Sequence, residues 1–283
     1  MNLDRVVNRV FPDTEQSFTA KDAILYALGV GFGAEPLDPG HLRFVFEEGL
    51  QATPTLANVF AHPGMWSREP DYAIDWKRLL HAEQRMRIHA PLPPQGSVMA
   101  RHSILGVRDL GERGVMLHQG KDLSDAESGN PIATIVTTLM LRGDRDSGDW
   151  GKEPEPLARL PESDPDSSLE VATTEIQPLI YRLSGDWNPL HVDPEVAAAA
   201  GFPRPILHGL ATKGMAGYAL LRQFCGFDAA RLGSMAVRFT RPVLPGDLIR
   251  FEFWGSGHGT VRFRAVVPSR DVVVLDRCSA EIR

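Results

Sequence analysis

The 283-residue chain has only two cysteines, Cys225 and Cys278, no apolar run near the twenty residues a membrane helix needs, and fewer basic than acidic residues. Each shortage excludes a class of protein. Two cysteines without metal-ligand spacing build neither a disulfide framework nor a zinc knuckle, and they suit a reducing, cytoplasmic compartment. A formal charge of −6 speaks against a nucleic-acid partner, whose affinity would come from clustered Lys and Arg. The N-terminus, Met1-Asn2-Leu3-Asp4-Arg5, lacks a signal-peptide core, and Glu281-Ile282-Arg283 is not a peroxisomal address. What is present, 43% apolar and 23% charged residues, is the composition of a chain with a large core.

The length suits two units. Gly143 to Ser168 holds four prolines, three glycines and eleven charged residues with little apolar periodicity, and reads as a linker over 143–168 or a long surface excursion. It leaves 1–142 and 169–283, which resemble one another in register. Thr19, Tyr26 and Leu28 recur 155 residues later as Thr174, Tyr181 and Leu183. Each threonine is placed to cap a helix with a side-chain acceptor three residues on. Downstream the offset is 151, pairing Pro54 with Pro205, Leu56 with Leu207, Arg87 with Arg238, Pro91 with Pro242 and Pro94 with Pro245. Such a constancy points to a tandem duplication.

In each half the pattern predicts a short helix, a longer helix rich in small residues, then strands. The second-half long helix is predicted over 206–224, where Gly209, Ala211, Gly214, Ala216, Gly217 and Ala219 imply close contact with surrounding backbone. Strands are predicted over 235–240, 248–255, 260–267 and 272–282. An α+β fold in which an antiparallel sheet curls round a central helix accounts for these signals.

Chemistry concentrates in Tyr181-Arg182-Leu183-Ser184-Gly185-Asp186-Trp187-Asn188-Pro189-Leu190-His191-Val192-Asp193-Pro194. Gly185 and Pro189 shape a stiff turn from which Asp186, Asn188 and His191 can aim at one point. An Asp and a His converging on a water form an acid–base couple. Pro205-Ile206-Leu207-His208-Gly209-Leu210 then leads into the long helix, where the Gly209 N–H can face an oxygen acquiring negative charge.

The segment Tyr181 to His191, followed by His208-Gly209, resembles the active-site signature of the (R)-specific 2-enoyl-CoA hydratases, the hydratase 2 or MaoC-like dehydratase family. The resemblance covers the whole chain and implies a double hot-dog fold, with a long central helix in each half and one continuous sheet. It implies that Asp186 and His191 hold and activate water, that Asn188 orients the pair, and that the Gly209 amide polarises a thioester carbonyl. The implied reaction is reversible syn hydration of a trans-2-enoyl-CoA to the (3R)-3-hydroxyacyl-CoA. His81, Ala82, Trp187, Pro189, Leu190, Arg238 and Phe239 are the substrate-binding residues it implies. No cofactor or metal is expected, CoA being part of the substrate, and the partners expected are the acyl-CoA and a second copy of the chain.

Two positions depart from the family's pattern: Ala82 stands where relatives carry Gly in His-Gly-Glu-Gln, and Leu110 where they carry Lys. Lys213, Arg222, Arg238 and Arg241 are the basic candidates for CoA phosphates. At the two offsets Asp186 matches Gly31, His191 matches Pro36 and Gly209 matches Asn58, so the first half lacks the catalytic set and is expected to accept a long or bulky acyl group. A Ser184–Asp186–His191 hydrolase triad lacks both spacing and nucleophile elbow. A metal site from Asp186, His191, Asp193 and His208 fits no zinc spacing. The remaining alternatives are a hot-dog thioesterase, which would release free thiol, and a non-catalytic acyl-CoA or acyl-carrier-protein binding module.

Overall fold

The computed structural model describes residues 1–283. Eleven strands run in chain order as β1 (Thr14–Phe18), β2 (Leu79–Ile88), β3 (Gly96–Asp109), β4 (Val115–Asp125), β5 (Pro131–Leu141), β6 (Trp150–Gly151), β7 (Ser167–Ala172), β8 (Leu232–Phe239), β9 (Leu248–Trp254), β10 (Gly259–Val267) and β11 (Val272–Ile282). The helices are α1 (Leu3–Val7), α2 (Ala20–Gly29), α3 (Pro39–Val45), α4 (Gln177–Tyr181), α5 (Pro194–Ala199) and α6 (Gly209–Phe224).

The strands form one antiparallel sheet in the order β1-β3-β4-β5-β2-β8-β11-β10-β9-β7, with β6 paired to β3. Read from its two ends, that order is the same five-strand pattern twice, meeting at β2 and β8. The central ladder carries the 151 offset in its register. Arg85, which the offset maps onto Ala236, pairs with Ala236, while Glu83 pairs with Arg238 and Arg87 with Ser234. A pseudo-twofold axis through the Arg85–Ala236 pair produces this pattern. The halves share one core of 49 buried residues, and the first half adds a second, smaller cluster of nine that includes Val6, Phe11, Trp66 and Leu141.

Local chemistry explains where the elements begin and end. The Asp22 carboxylate accepts from the Thr19 N–H at 2.8 Å, and Gln177 Oε1 accepts from the Thr174 N–H at 3.1 Å, so the capping bond recurs in both halves. The outcome differs. α2 runs ten residues, whereas α4, with Pro178 in its first turn, runs five before tightening into a 3-10 turn over Arg182–Ser184. α6 begins at Gly209 rather than at Ile206, because the Leu207 N–H donates to the Val243 carbonyl at 2.9 Å and holds 206–208 extended. From Ala211 to Leu221 every residue of α6 is buried. Its glycines are contact points: a methyl on Gly214 would meet Val30 Cγ1 at 2.4 Å, and one on Gly217 would meet Thr55 Cγ2 at 2.7 Å.

The long central helix expected in each half exists only in the second. Its first-half counterpart is the 3-10 turn Pro54–Asn58, after which Ala61 takes a positive φ of 48° and Pro63 forbids helical continuation. The carbonyls a longer helix would have used are taken instead by Lys121, whose Nζ donates to Ala57, Asn58 and Phe60. Residues 143–168 are not a detached tether. Trp150–Gly151 joins β3, and the Ser163 carbonyl accepts from Trp254 Nε1.

Candidate active site

Gly185, at φ 122°, ends the turn that follows α4 with a backbone conformation that side chains rarely adopt. The chain then crosses Asp186 to Asn188 and tightens into the 3-10 turn Pro189–His191 before Asp193 caps α5. Asp186 Oδ1 accepts from the Asn188 N–H at 3.2 Å, and Asn188 Oδ1 accepts from the Leu190 N–H at 3.2 Å. Asn188 therefore touches neither partner side chain to side chain. Its backbone steadies the carboxylate, and its amide caps the turn that carries His191.

The His191 Nδ1–H donates to the Ile206 carbonyl at 2.8 Å, which fixes the tautomer and leaves Nε2 as an acceptor. Burial pushes the imidazole below its ordinary pKa, so it is neutral near pH 7. His208, fully buried, stacks on it with ring centroids 3.7 Å apart and planes at 28°. His208 Nε2 donates to the Asp186 carbonyl at 3.2 Å and is held neutral by burial first and by His191 second. This stacked ring, which the sequence placed beside Gly209 and offered as a metal ligand, ties the Asp186 loop to the start of α6 instead. Its adjacency to Gly209 was the available signal for that role.

Asp186, His191 and His208 each bring one potential ligand atom within 4.8 Å of the others. The rings lie nearly parallel, so their in-plane lone pairs run side by side rather than converging as a tetrahedral metal requires. A water between carboxylate and imidazole suits the geometry better. Beyond it, the Gly209 N–H is the first of α6 and donates to no protein acceptor, at the positive end of the helix. Phe239 lies against that glycine, 3.4 Å from where a methyl would sit, and its other neighbour is His81, with ring centroids 4.8 Å apart.

Residues 157–275 match the MaoC-like domain model, and residues 16–143 match the N-terminal domain of the hydratase 2 unit of the type 2 multifunctional enzymes. The chain is 39% identical to 3-hydroxyacyl-thioester dehydratase Y of Mycobacterium tuberculosis, with 93% of this chain and 92% of the relative aligned. The chain belongs to the MaoC-like dehydratase family, hydratase 2 type. It is a hydro-lyase. Similarity extends to the peroxisomal enoyl-CoA hydratase 2 of Arabidopsis thaliana, at 32% identity over 97% of this chain and 93% of the relative. The crystal structure of a MaoC-like dehydratase from Phytophthora capsici superposes with a TM-score of 0.89 at 32% identity, over 100% and 99% of the two chains.

In this MaoC-like protein the other sequence-predicted residues scatter more widely. Trp187 is exposed beneath the Arg182 guanidinium at 4.4 Å, beside exposed Pro189 and half-buried Leu190. Ala82 is the extra residue of a β-bulge between His81 and Glu83, a place where alanine fits without a positive φ. Arg238 precedes Phe239 on β8 and points to the opposite face of the sheet, away from Gly209. Two basic candidates for phosphates are otherwise engaged. Lys213 is wholly buried, and Arg222 pairs with Glu35. Arg241 is exposed and donates to the Thr240 carbonyl. The hollow of about 540 Å³ near Arg5 and Arg9 shares no residue with this set.

Proposed function

We propose that the chain adds water reversibly, in the syn sense, across a trans-2-enoyl-CoA to give the (3R)-3-hydroxyacyl-CoA, acting on medium, long or bulky acyl chains. The observation that carries this reading is the pairing of a neutral His191, its Nε2 free, with Asp186, beside an unpaired Gly209 N–H. The thioester withdraws electrons from C3, and a water held by Asp186 and His191 attacks there. As the oxygen bonds to C3, one proton passes to His191 Nε2 and charge moves onto the thioester oxygen, where the Gly209 N–H stabilises it. The same pair returns a proton to C2 on the same face, regenerating neutral His191. No redox group is consumed, and the atoms of one water are added. The catalytic residues in this reading are Asp186, His191 and Gly209. Asn188 and His208 are positioning residues.

The test is a spectrophotometric assay with crotonyl-, decenoyl- and steroid side-chain enoyl-CoA on wild type, Asp186→Asn and His191→Ala. The expected result is hydration by the wild type and a loss of about 10²-fold or more in each variant with the fold retained. Turnover unchanged in both variants overturns the assignment, and release of free thiol instead of hydration identifies a thioesterase.

A further inference from the structure

The structure accounts fully for one of two buried lysines and leaves the other over. Lys121 donates to three carbonyls, Ala57 and Asn58 at 3.0 Å and Phe60 at 2.8 Å, which uses all three donors of an ammonium. Lys213 has no exposed surface and one partner, Asn58 Oδ1 at 2.9 Å. No carboxylate lies within ion-pair distance of it, and the charge it feels most is that of Lys121. The rest of its hydrogen-bonding capacity has no partner, in a place where an unmade hydrogen bond is costly.

Its surroundings form a polar seam across the join between the halves. Asn58 Oδ1 also accepts from Gln84 Nε2 at 3.2 Å, while its Nδ2 donates to the Thr55 carbonyl at 2.7 Å, so Asn58 has nothing left to offer Lys213. Gln84 Oε1 accepts from Thr137 Oγ1 and from His81 Nε2, and His81 faces Phe239 at the thioester site. Lys213 follows Gly209 by four residues on α6, so both lie on one face about 6 Å apart along the axis. Helical side chains lean toward the N-terminus, which brings the amine back toward Gly209. CoA, a large polyanion, must leave by the exposed side, where Gly209, Trp187 and Pro189 lie. From a carbonyl at Gly209, an acyl chain that follows α6 inward meets Lys213 one turn on.

We propose that Lys213, held by Asn58, receives a hydrogen-bond-accepting group, a carboxylate or hydroxyl, carried on the acyl chain beyond the double bond, and thereby selects polar-tailed over methyl-ended enoyl thioesters. The inference rests on the hydratase reading above. A site built to hydrogen-bond a substrate oxygen rejects the analogue that lacks it, because its own donors are then left unpaired.

The experiment measures kcat/KM for trans-2-octenoyl- and trans-2-decenoyl-CoA against the same chains ending in a carboxylate or a hydroxyl, on wild type and on Lys213→Met, with crotonyl-CoA as a substrate too short to carry a tail. The polar-to-methyl ratio is expected to fall about tenfold or more in Lys213→Met, with a melting temperature no lower than that of wild type. Asn58→Asp is an independent second route: it gives the amine an internal anion and is expected to lower the carboxylate-to-methyl ratio likewise. The arm with the larger fall shows whether carboxylate or hydroxyl is the natural group. Ratios within about threefold of wild type in both variants overturn the inference, while hydration of crotonyl-CoA leaves the hydratase reading standing. Failure of every enoyl-CoA to react overturns that reading instead.

Discussion

The 155 offset aligns two loops, Asp186–Asp193 in the second half and Gly31–Asp38 in the first. Both end in an Asp-Pro pair that caps a helix, Asp193-Pro194 and Asp38-Pro39, yet only one carries an acid and a base. In the first half the space is filled. The rings of Phe32, Tyr218 and Phe227 surround His41, with Phe44 against Phe32; His41 Nδ1 accepts from the Gly33 N–H and its Nε2 donates to the Tyr218 hydroxyl. Phe227 presses so closely on Gly40 that a methyl there would sit 2.2 Å from its ring. A duplicated fold thus keeps its caps and strand order, which serve folding, while the copy without the Asp and His pair fills the corresponding space with aromatic core.

The largest effects that test this asymmetry are the losses of about 10²-fold or more expected for Asp186→Asn and His191→Ala. Next is the backbone donor. Gly209→Pro removes the N–H at the first helical position, where proline is tolerated, and His208, at φ −57° and ψ 136°, already has the conformation a residue before proline adopts. Turnover is expected to fall about 10²-fold, while Gly209→Ala, which keeps the N–H, falls much less; equal losses in kcat would remove the donor role.

Lys121→Met breaks the comparison on the structural side. It orphans three buried carbonyls around the turn that replaces the first-half helix, and chemical denaturation is expected to show a loss of about 2–4 kcal/mol. A smaller, distributed effect comes from pH. Burial lowers the pKa of His41, His81, His102, His118, His191 and His208, with His81 reaching about 4. Between pH 6.5 and these lower values the unfolded chain binds protons that the folded chain refuses. The stability contributed by the neutral rings is complete above pH 6.5 and lost as pH falls through the folded values. Denaturation midpoints should drop across that window, and hydration with them as His191 protonates. A midpoint that is flat from neutral pH down to about 4 contradicts the burial of these rings.

The smallest expected effect is at the silent cleft. Tyr218→Phe deletes a hydroxyl bonded to His41 and Arg222 and should cost about 1 kcal/mol with turnover unchanged. A fall in kcat would mean that the first-half cleft still communicates with the chemistry.

The sequence showed β8 to β11 to within a few residues, because alternation and Pro-Gly turns are local signals, but it missed β7, which starts at Ser167 inside the stretch read as a linker and is defined by its pairing with β9. It showed the capping bonds at Thr19 and Thr174 for the same reason. It did not show that the Pro54–Asn58 stretch stops after five residues, since the clamp that stops it, Lys121, lies more than sixty residues away. Asp186, Asn188 and His191 were legible as a run of reactive types on a stiff loop, and Gly209 as a backbone donor near the start of the long helix. Arg238 and Lys213 were misplaced toward the CoA phosphates, because a basic residue in a sequence carries no record of which side of a sheet or helix it occupies.

By itself, the sequence determined the duplication, the antiparallel character of the sheet and the gathering of an acid, an amide and an imidazole on one loop of the second half. These follow from periodicity, spacing and side-chain chemistry, which are properties of neighbours in the chain. Only the tertiary structure decided that the pseudo-twofold axis runs through Arg85 and Ala236, that His208 stacks on His191, and that Lys213 is buried beside Asn58 with hydrogen-bonding capacity to spare. Each is a meeting of groups far apart in the chain, and its energy depends on what burial has removed from water.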